Sequence, residues 1–382
     1  YVRLNKALYG CVQSALLWYE LYSETLQGMG FEINPCDLCV ANAVIKGKQC
    51  TICWYVDDNK ISHVDPSVVD DIISKIEDKF GKMTVTRNGQ ENHEFLGIKV
   101  KMDKRLKTVE ISMKQYLLNA LGLFLEDITR NAATPATSRL FEIREDSPAL
   151  NAERAENFHS VTALLLYVSQ RCRLDIQTAV SFLTTRVSKP TEDDWSKLRR
   201  LLQYIRGTID DKLILGGTSI THMKTWVDAS YAIHDDRKSH TGGAISFGRG
   251  VLMSKSKKQK LNTKSSTEAE VVGVSDYLGE MIWARMFIEC QGYEIEENIL
   301  YQDNESAMKI ETNGKLSCGK KSKHIDIRYF FIKDRLSSER IQVIHCPTHK
   351  MIADFFTKPL QGNLFRLLCD VIMGRKTIQD LN

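Results

Sequence analysis

Residues 224–254 read KTWVDASYAIHDDRKSHTGGAISFGRGVLMS, and this stretch decides the fold of the C-terminal half of the chain. The short apolar run at 224–227 predicts a strand, and 242–247 and 250–254 predict the two arms of a hairpin. A long helical pattern follows over 265–291, and then come a strand at 298–301, a helix at 305–312, a strand at 340–345 and a final helix. Strands first and strand–helix alternation afterwards predict a mixed sheet with helices on its faces.

Upstream of this stretch the pattern changes twice. Residues 1–130 alternate strand-like and helix-like segments, with a buried strand predicted at 49–56 (QCTICWYV) and an amphipathic helix at 67–80 behind the start signal Asp65-Pro66. Paired strands are predicted at 93–102 and 108–112, a helix at 113–121, turn-rich sequence at 129–150 and helices over 153–207. We therefore predict an α/β (α+β) chain with domains at 1–130, 131–222 (a linker and a helical region) and 223–382.

The composition is that of a folded protein. The chain has 382 residues, of which 43% are hydrophobic and 26% charged, and this excludes a disordered chain. No apolar run approaches the ~20 residues of a membrane span, so we predict no transmembrane helix. Ten cysteines without a signal peptide indicate reduced thiols inside the cell. Because the first residue is Tyr1 rather than Met, we expect a segment of a longer polypeptide.

Basic residues cluster in two runs, although the net charge of +4 identifies no partner by itself. The first run, within 254–264, contains no acid, and the second lies within 315–328. A solvated face and a phosphate-binding face both explain such runs. The residues concerned are Lys255, Lys257, Lys258, Lys260 and Lys264 in the first run, and Lys315, Lys320, Lys321, Lys323 and Arg328 in the second.

Four acids are spread over the predicted mixed sheet: Asp228 at a strand end, Glu268 at the start of the long helix, Asp303 after a strand and Asp354 on the last helix. Strand ends and helix starts meet at the edge of a sheet, so these acids are expected to surround two Mg²⁺ ions. Each acid also has a structural explanation. Glu268 fits a capping box with Ser265, Asp303-Asn304 fits an N-cap, and Asp354 fits a solvated helix position.

Two further patterns carry candidate metal ligands. Tyr55-Val56-Asp57-Asp58 places two carboxylates directly after a buried strand, where either a divalent cation or ordinary turn chemistry accounts for them. Two CxxC pairs, Cys36/Cys39 and Cys50/Cys53, suggest zinc. Residues three apart in a strand point to opposite faces, so Cys50 and Cys53 cannot hold one ion. We therefore predict core cysteines and no zinc.

These motifs resemble the C-terminal part of the Pol polyprotein of Ty1/copia-type LTR retrotransposons, which covers reverse transcriptase, connection and ribonuclease H. The similar stretches run from end to end of the chain, and the order WVDAS, SSTEAE, QDNESA and KHIDIRY (323–329) is highly specific. They include KALYGCVQSALLWYE (6–20), WYVDD (54–58), EFLGIKV (94–100), ALLLYVSQRCRLDIQTAV (163–180), WVDASYA (226–232), KSSTEAE (264–270), QDNESAM (302–308) and MIADFFTKPLQGNLF (351–365).

The resemblance implies a partial polymerase palm over 1–130, a thumb or connection region over 131–222 and a ribonuclease H-like domain over 223–382. It implies that Asp57 and Asp58 hold the metals of nucleotide addition, with Leu96 and Gly97 near the primer. Asp228, Glu268, Asp303 and Asp354 would hold two Mg²⁺, with Mn²⁺ as a substitute, for cutting the RNA of an RNA/DNA hybrid. Lys255, Lys257, Lys258, Lys320, Lys321, Lys323 and Arg328 would face its phosphates.

The resemblance also implies partners and a location: an RNA template with a DNA primer, other Pol and Gag segments, no membrane, and a cytoplasmic virus-like particle with the nucleus as a second compartment. Three features depart from the family. A palm aspartate and the fingers are expected upstream of Tyr1, and residues 11–17 (CVQSALL) lack the usual basic residue, proline and arginine. The family also has a histidine on a loop about ten residues before the last acid; here His349 is too close to Asp354, and His345 ends a predicted strand. The alternative function is a decayed or repurposed element that binds nucleic acid without catalysis.

Overall fold

The computed structural model describes Leu8 and residues 10–89, 93–217, 219–313 and 323–381. Contacts divide the chain into two compact units, one of residues 1–98 with 283–294 and the other of residues 99–282 with 295–382. The helices are α1 (Val12–Gly28), α2 (Pro66–Phe80), α3 (Lys114–Leu123), α4 (Ala152–Ser169), α5 (Gln177–Thr184), α6 (Glu192–Gly207), α7 (Ser266–Cys290), α8 (Glu305–Asn313), α9 (Lys323–Ser338), α10 (Asp354–Thr357) and α11 (Gly362–Ile372).

The strands are β1 (Glu32–Ile33), β2 (Val40–Ile45), β3 (Lys48–Tyr55), β4 (Asp58–Ser62), β5 (Glu94–Phe95), β6 (Ile98–Asp103), β7 (Thr108–Ser112), β8 (Leu213–Gly216), β9 (His222–Ser230), β10 (His240–Ser246), β11 (Met253–Lys258), β12 (Glu297–Gln302) and β13 (Gln342–His345). The chain combines helices with several sheets, so the predicted mixed α/β class is confirmed. No helix in the described part of the chain combines the length and the apolar character that crossing a bilayer requires.

The first unit contains an antiparallel sheet in the order β1-β2-β3-β4 with α1 and α2 packed on it. Every second residue of β3 is buried. Two of these residues, Ile52 and Trp54, pack in one core with Tyr22 and Leu26 of α1. Helix α2 adds Ile72 at its apolar stripe and begins where predicted, because the Asp65 side chain accepts a hydrogen bond from the Ser67 backbone N–H.

The second unit is built around a five-stranded sheet in the order β11-β10-β9-β12-β13. β9, β10 and β11 pair antiparallel, whereas β12 runs parallel to both β9 and β13. This is the mixed sheet that the sequence predicts. The parallel pair β9–β12 matters for function, because the carboxyl ends of two adjacent parallel strands lie at the same edge.

Two adjacent glycines in β10 let helices approach both faces of this sheet. A Cβ at Gly242 would lie 2.7 Å from the backbone oxygen of Ala353, and a Cβ at Gly243 would lie 2.5 Å from the Tyr277 ring of α7. Successive strand residues face opposite sides, so α10 packs on one face and α7 on the other. Glycine is required at both positions because any side chain would collide with these neighbours.

The second unit also contains helices α3 to α6 and the antiparallel strands β6-β7-β8. A fully buried ion pair anchors it: the Arg173 guanidinium donates to both carboxylate oxygens of Asp175 at 2.8 and 2.7 Å, and the Tyr204 hydroxyl donates to the same carboxylate at 2.7 Å. Arg173 also donates to the backbone oxygen of Thr208, so every member of this group has a partner.

Two predicted elements differ from the structure. The second arm of the hairpin is β11 at Met253–Lys258 rather than 250–254, because 247–252 forms the connection between the arms. The first lysine run therefore begins inside a strand. The segment 323–338, which the sequence analysis treats only as a basic run, forms helix α9.

Candidate metal centre

Asp228 occupies the centre of the candidate site, near the carboxyl end of the middle strand β9, and is only 2% exposed. Its partner in the β-ladder is Gly242, the residue whose missing side chain admits α10. From α10, the Thr357 hydroxyl donates a short hydrogen bond to Asp228 Oδ2. A carboxylate this deeply buried needs hydrogen bonds and a nearby cation to remain charged.

Two further aspartates converge on Asp228. Asp303 directly follows β12, the parallel neighbour of β9, and Asp354 is the first residue of α10. One carboxylate oxygen of each of the three lies within 4.8 Å of the others, and among the described residues these are the one such group of three acidic, histidine or cysteine side chains. The structure therefore brings together three of the four acids selected from the sequence.

The N-cap explanation for this turn holds for Asn304 rather than for Asp303. Asn304 Oδ1 accepts from the backbone N–H groups of Ser306 and Ala307, both at 3.0 Å, and so caps α8. Gln302 Oε1 accepts from the backbone N–H of Asp303 at 2.9 Å and fixes the turn from β12 into α8. The Asp303 carboxylate is consequently left to face Asp228.

Glu268, the fourth acid selected from the sequence, is not in this group. Its carboxylate accepts from the backbone N–H of Lys264 at 2.7 Å, while its own N–H donates to Ser265 Oγ at 3.2 Å. This arrangement resembles the capping box considered for this residue, except that the carboxylate accepts from Lys264 rather than from Ser265, and it engages Glu268 in closing the start of α7.

Glu270, which the sequence analysis did not select, faces the aspartates instead. It is 5% exposed, and the charges of Asp228 and Asp303 both act on its carboxylate. A signal for it exists in the sequence, because Val274, Tyr277 and Met281 follow it at helical spacings of four, seven and eleven and are all buried. An acid at the head of such an apolar stripe faces the sheet.

Without a cation, it is unfavourable for all the carboxyl groups of this site to be ionised at the same time. Burial, followed by the charge of Asp228, raises the pKa of Asp354 to about 7 and also raises the pKa of Asp303. Burial and the charges of Asp228 and Asp303 raise the pKa of Glu270 well above its usual value. A positive charge placed among these groups would favour their ionised forms.

The carboxylates of Asp228, Asp303, Asp354 and Glu270 fit a divalent cation such as Mg²⁺, which prefers carboxylate and water oxygens. Glu270 Oε2 is buried and has no hydrogen-bond partner in the described part of the chain, so it retains a free ligand position. Three of these acids, Asp228, Asp303 and Glu270, line a cavity of about 760 Å³. Its walls are formed by Asp228, Ala229, Ser230, Tyr231, Ile233, Ser266, Glu270, Asp303, Asn304, Glu305, Ser306 and Lys358.

The predicted phosphate-binding residues divide into three groups. Lys255 pairs with Glu280 and Lys258 with Asp236, and Arg328 pairs with Asp276. Lys257 is exposed on β11 and forms no ion pair among the described residues. Lys320 and Lys321 lie outside the described residues, and of Lys323 the structure gives only its place at the start of α9.

In the first unit, Asp57 and Asp58 lie at the tight turn between β3 and β4, where Tyr55 pairs with Asp58. Val56 has a φ of 55°, a left-handed conformation that costs a β-branched residue strain, and the Trp18 indole N–H holds its backbone oxygen at 2.6 Å. Both aspartates are exposed. No third ligand group joins them among the described residues.

In the described part of the chain, the cysteines and histidines that the sequence analysis considered are not members of the group of three aspartates. Cys50 is on the buried face of β3 and Cys53 on the opposite face, as strand alternation predicts. His345 ends β13, and His349 is exposed in the turn at Thr348–Lys350. The hydroxyl of Thr348, the residue before His349, donates a long hydrogen bond of 3.4 Å to Asp303 Oδ2.

Comparison with known proteins agrees with the resemblance seen in the motifs. A family model described as reverse transcriptase (RNA-dependent DNA polymerase) matches residues 1–136. The Pol polyprotein from transposon TNT 1-94 of Nicotiana tabacum is 28% identical over 97% of this chain and 28% of its own length. The Pol polyprotein from transposon RE1 of Arabidopsis thaliana is 29% identical over 95% of this chain and 24% of its own length.

The transposon Ty1-NL2 Gag-Pol polyprotein of Saccharomyces cerevisiae is 25% identical over 96% of this chain and 21% of its own length. The chain thus spans about a quarter of the length of these curated relatives. A crystal structure of prototype foamy virus protease-reverse transcriptase aligns with 89% of this chain and 38% of its own at 13% identity, with a TM-score of 0.24.

Proposed function

We propose that this chain, a relative of the Ty1/copia-type Pol polyproteins, hydrolyses the RNA strand of RNA/DNA hybrids at the centre formed by Asp228, Asp303, Asp354 and Glu270. The observation that carries the proposal is the approach of three aspartate oxygens to within 4.8 Å at the edge of a mixed sheet. Buried like charges at this separation destabilise a fold unless they serve to bind a cation.

Two Mg²⁺ ions, when bound, would activate a water molecule and stabilise the leaving oxygen of the phosphodiester. The residues of the chain supply the ligands and hold them in place. Asp228 is fixed by the Thr357 hydroxyl, Asp303 by the Gln302-anchored turn, and Glu270 by a backbone hydrogen bond from Ala229. The cavity of about 760 Å³ beside them is the proposed entry for the phosphodiester backbone.

The substrate is proposed to be held by its phosphates rather than by its base sequence. Of the three lysines proposed for this contact in the first basic run, Lys257 is exposed and remains available, because Lys255 and Lys258 already pair with acids. Contacts of this kind position a strand without reading its bases. Other Pol and Gag segments are the proposed partners, and a cytoplasmic virus-like particle, with the nucleus as a second compartment, is the proposed setting.

A second candidate function is a contribution to RNA-directed DNA synthesis. The strained turn at Val56 favours it, because strained backbone accumulates at functional sites and here presents Asp57 and Asp58 to solvent. We propose these two residues as metal ligands for nucleotide addition, with Leu96 and Gly97 near the primer. Together with the remaining polymerase segments of a Pol polyprotein they would form a complete site.

The test of hydrolysis compares two substitutions on the same helix, in the full chain. Glu270→Gln removes a proposed ligand, whereas Glu268→Gln alters only the cap two residues earlier. With a labelled RNA strand annealed to DNA and Mg²⁺ present, Glu270→Gln is expected to lower cleavage more than ~100-fold, because even outer partners of metal ligands cost ~10- to 100-fold. Glu268→Gln should retain most of the activity.

Asp228→Asn provides the control for contamination. Equal cleavage by the unsubstituted chain and by Asp228→Asn would mean that another nuclease is present, and the proposal would fail. Tight binding of the hybrid without cleavage by freshly purified chain in Mg²⁺ would instead support the decayed or repurposed element.

A further inference from the structure

Lys358 is the one basic side chain among those that line the cavity, and its ammonium group lies between two of the aspartates. Its Nζ is 2.5 Å from Asp354 Oδ1 and 3.6 Å from Asp228 Oδ2. The side chain is 39% exposed, so it reaches the buried acids from the cavity wall rather than from the protein core.

We propose that Lys358 is a built-in counter-cation that holds Asp228 and Asp354 in place without metal and leaves them when Mg²⁺ binds. The inference deepens the proposed function, since it rests on these acids being the metal ligands. Lys358 is therefore a positioning residue that competes with the ion for the same oxygens.

Competition follows from the distances. Magnesium binds a carboxylate oxygen at about 2.0–2.1 Å, and the Lys358 ammonium already lies 2.5 Å from Asp354 Oδ1. Two cations sharing one oxygen at these separations repel each other strongly in a half-buried site. The ammonium must move away before the ion can settle.

The charges explain why the chain keeps a cation here. Burial alone would lower the pKa of Lys358, but the charges of Asp228 and Asp354 outweigh burial and raise it. Without the ammonium, the acids would face one another with no positive charge among the cavity-lining side chains. Lysine suits this task because its flexible four-carbon stem can swing into the adjoining cavity, whereas the planar arginine fork would bind both oxygens more rigidly.

The experiment measures Mg²⁺ binding to the full chain by isothermal titration with MgCl₂, and thermal stability in EDTA. Lys358→Met keeps the length of the side chain and removes its charge. Suppose that, without metal, the conformation in which Lys358 pairs with the aspartates is about ten times more populated than the one in which it has swung into the cavity. Lys358→Met should then bind Mg²⁺ about tenfold more tightly. The variant should also melt at a lower temperature in EDTA, because its aspartates lack the counter-charge.

A matched control exists in α6. Lys197 is also a half-buried i,i+4 partner of an aspartate, 2.9 Å from Asp193, but it does not line the cavity. Lys197→Met should lower the melting temperature and leave the Mg²⁺ affinity unchanged. This control separates loss of an ion pair in general from loss of the competing charge.

A second measurement needs no substitution and therefore does not depend on the folding of a variant. Reductive methylation of the unsubstituted chain, followed by mass spectrometry, reports how available the Lys358 amine is. Addition of MgCl₂ should raise the rate of methylation at Lys358 several-fold and leave the rate at Lys197 unchanged.

The outcomes distinguish the two proposals. Tighter Mg²⁺ binding by Lys358→Met, with faster methylation of Lys358 in Mg²⁺, supports the counter-cation. Equal or weaker binding by Lys358→Met, or an unchanged methylation rate, overturns it while leaving the metal centre intact. If the unsubstituted chain binds no Mg²⁺ at all, both the counter-cation and the proposed function fail.

Discussion

Glu311 is a fully buried carboxyl group on α8, and replacing it should stabilise the protein in a pH-dependent way. It is 0% exposed, and within the described part of the chain no well-aligned hydrogen bond reaches either carboxylate oxygen, although the Gln302 side chain lies beside them. Burial raises the pKa of Glu311 to about 8, and the neighbouring Gln302 opposes this only in part. The group is therefore protonated in the folded protein at neutral pH.

The magnitude follows from linkage between protonation and folding. The folded carboxyl keeps its proton up to about pH 8, whereas the unfolded one loses it near its usual value of 4.5. Its contribution to stability is thus fully present below pH 4.5 and is lost as the pH rises towards 8. At ~1.4 kcal/mol per pKa unit, the loss is on the order of 3 kcal/mol at neutral pH and of 4–5 kcal/mol at pH 8.

Glu311→Gln keeps the shape of the side chain and cannot ionise, so it should escape this loss. Urea unfolding of the unsubstituted chain and of Glu311→Gln, at pH 5 and at pH 7.5, gives the difference in unfolding free energy. We expect the variant to gain about 3 kcal/mol relative to the unsubstituted chain between the two pH values. Asp303, Asp354 and Glu270 titrate in both proteins, and their effects largely cancel in the comparison.

Glu156→Gln is the matched control, since Glu156 is exposed on helix α4. Its difference from the unsubstituted chain should stay within about 0.5 kcal/mol at both pH values. A Glu311→Gln difference that does not change with pH would refute the reasoning, because it would mean that Glu311 ionises equally easily in the folded and unfolded chains.

Two other predictions concern ion pairs. Asp175→Asn should lower the free energy of unfolding by about 3–5 kcal/mol, because it leaves the fully buried Arg173 without its counter-charge; a loss below about 1 kcal/mol in urea unfolding would contradict this. Lys257→Ala should reduce the salt dependence of RNA/DNA hybrid binding, measured by fluorescence anisotropy in EDTA, by about one counterion. Lys255→Ala and Lys258→Ala should change it less, since both lysines already pair with acids, and an equal effect of all three would show that these pairs open on binding.

Periodicity and local capping chemistry were enough to predict much of the fold. The apolar spacing of 67–80 and the start signal at Asp65 predict the bounds of α2 to within one residue. Both signals depend only on residues that are close together in the sequence. The mixed sheet follows for the same reason, as each strand and helix of 223–382 carries its own pattern. The position of β11 does not follow, since its alternating lysines and serines carry no apolar signal and it is a strand through its pairing with β10.

The candidate site shows where local reasoning fails. Glu268 and Glu270 are separated by two positions, so they point in directions about 200° apart on a helix. Glu268 was selected as the acid at the start of the long helix, but a local capping pattern is what engages its carboxylate in the structure. The orientation of Glu270 depends on which side of α7 is buried against the sheet, and this is decided by contacts such as that of Tyr277 with Gly243.

The meeting of Asp354 with Asp228 depends on an even longer-range condition. The two residues are 126 positions apart, and what brings them together is the absence of a side chain at Gly242, directly across the ladder from Asp228. A Cβ there would lie 2.7 Å from both the Ala353 backbone oxygen and Thr357 Cγ2. It would therefore push away the residue before Asp354 and the hydroxyl that holds Asp228. In the sequence, Gly242 reads as a weak strand position. Its role becomes visible only when α10 packs against it, because a close approach is a property of two segments and not of either one.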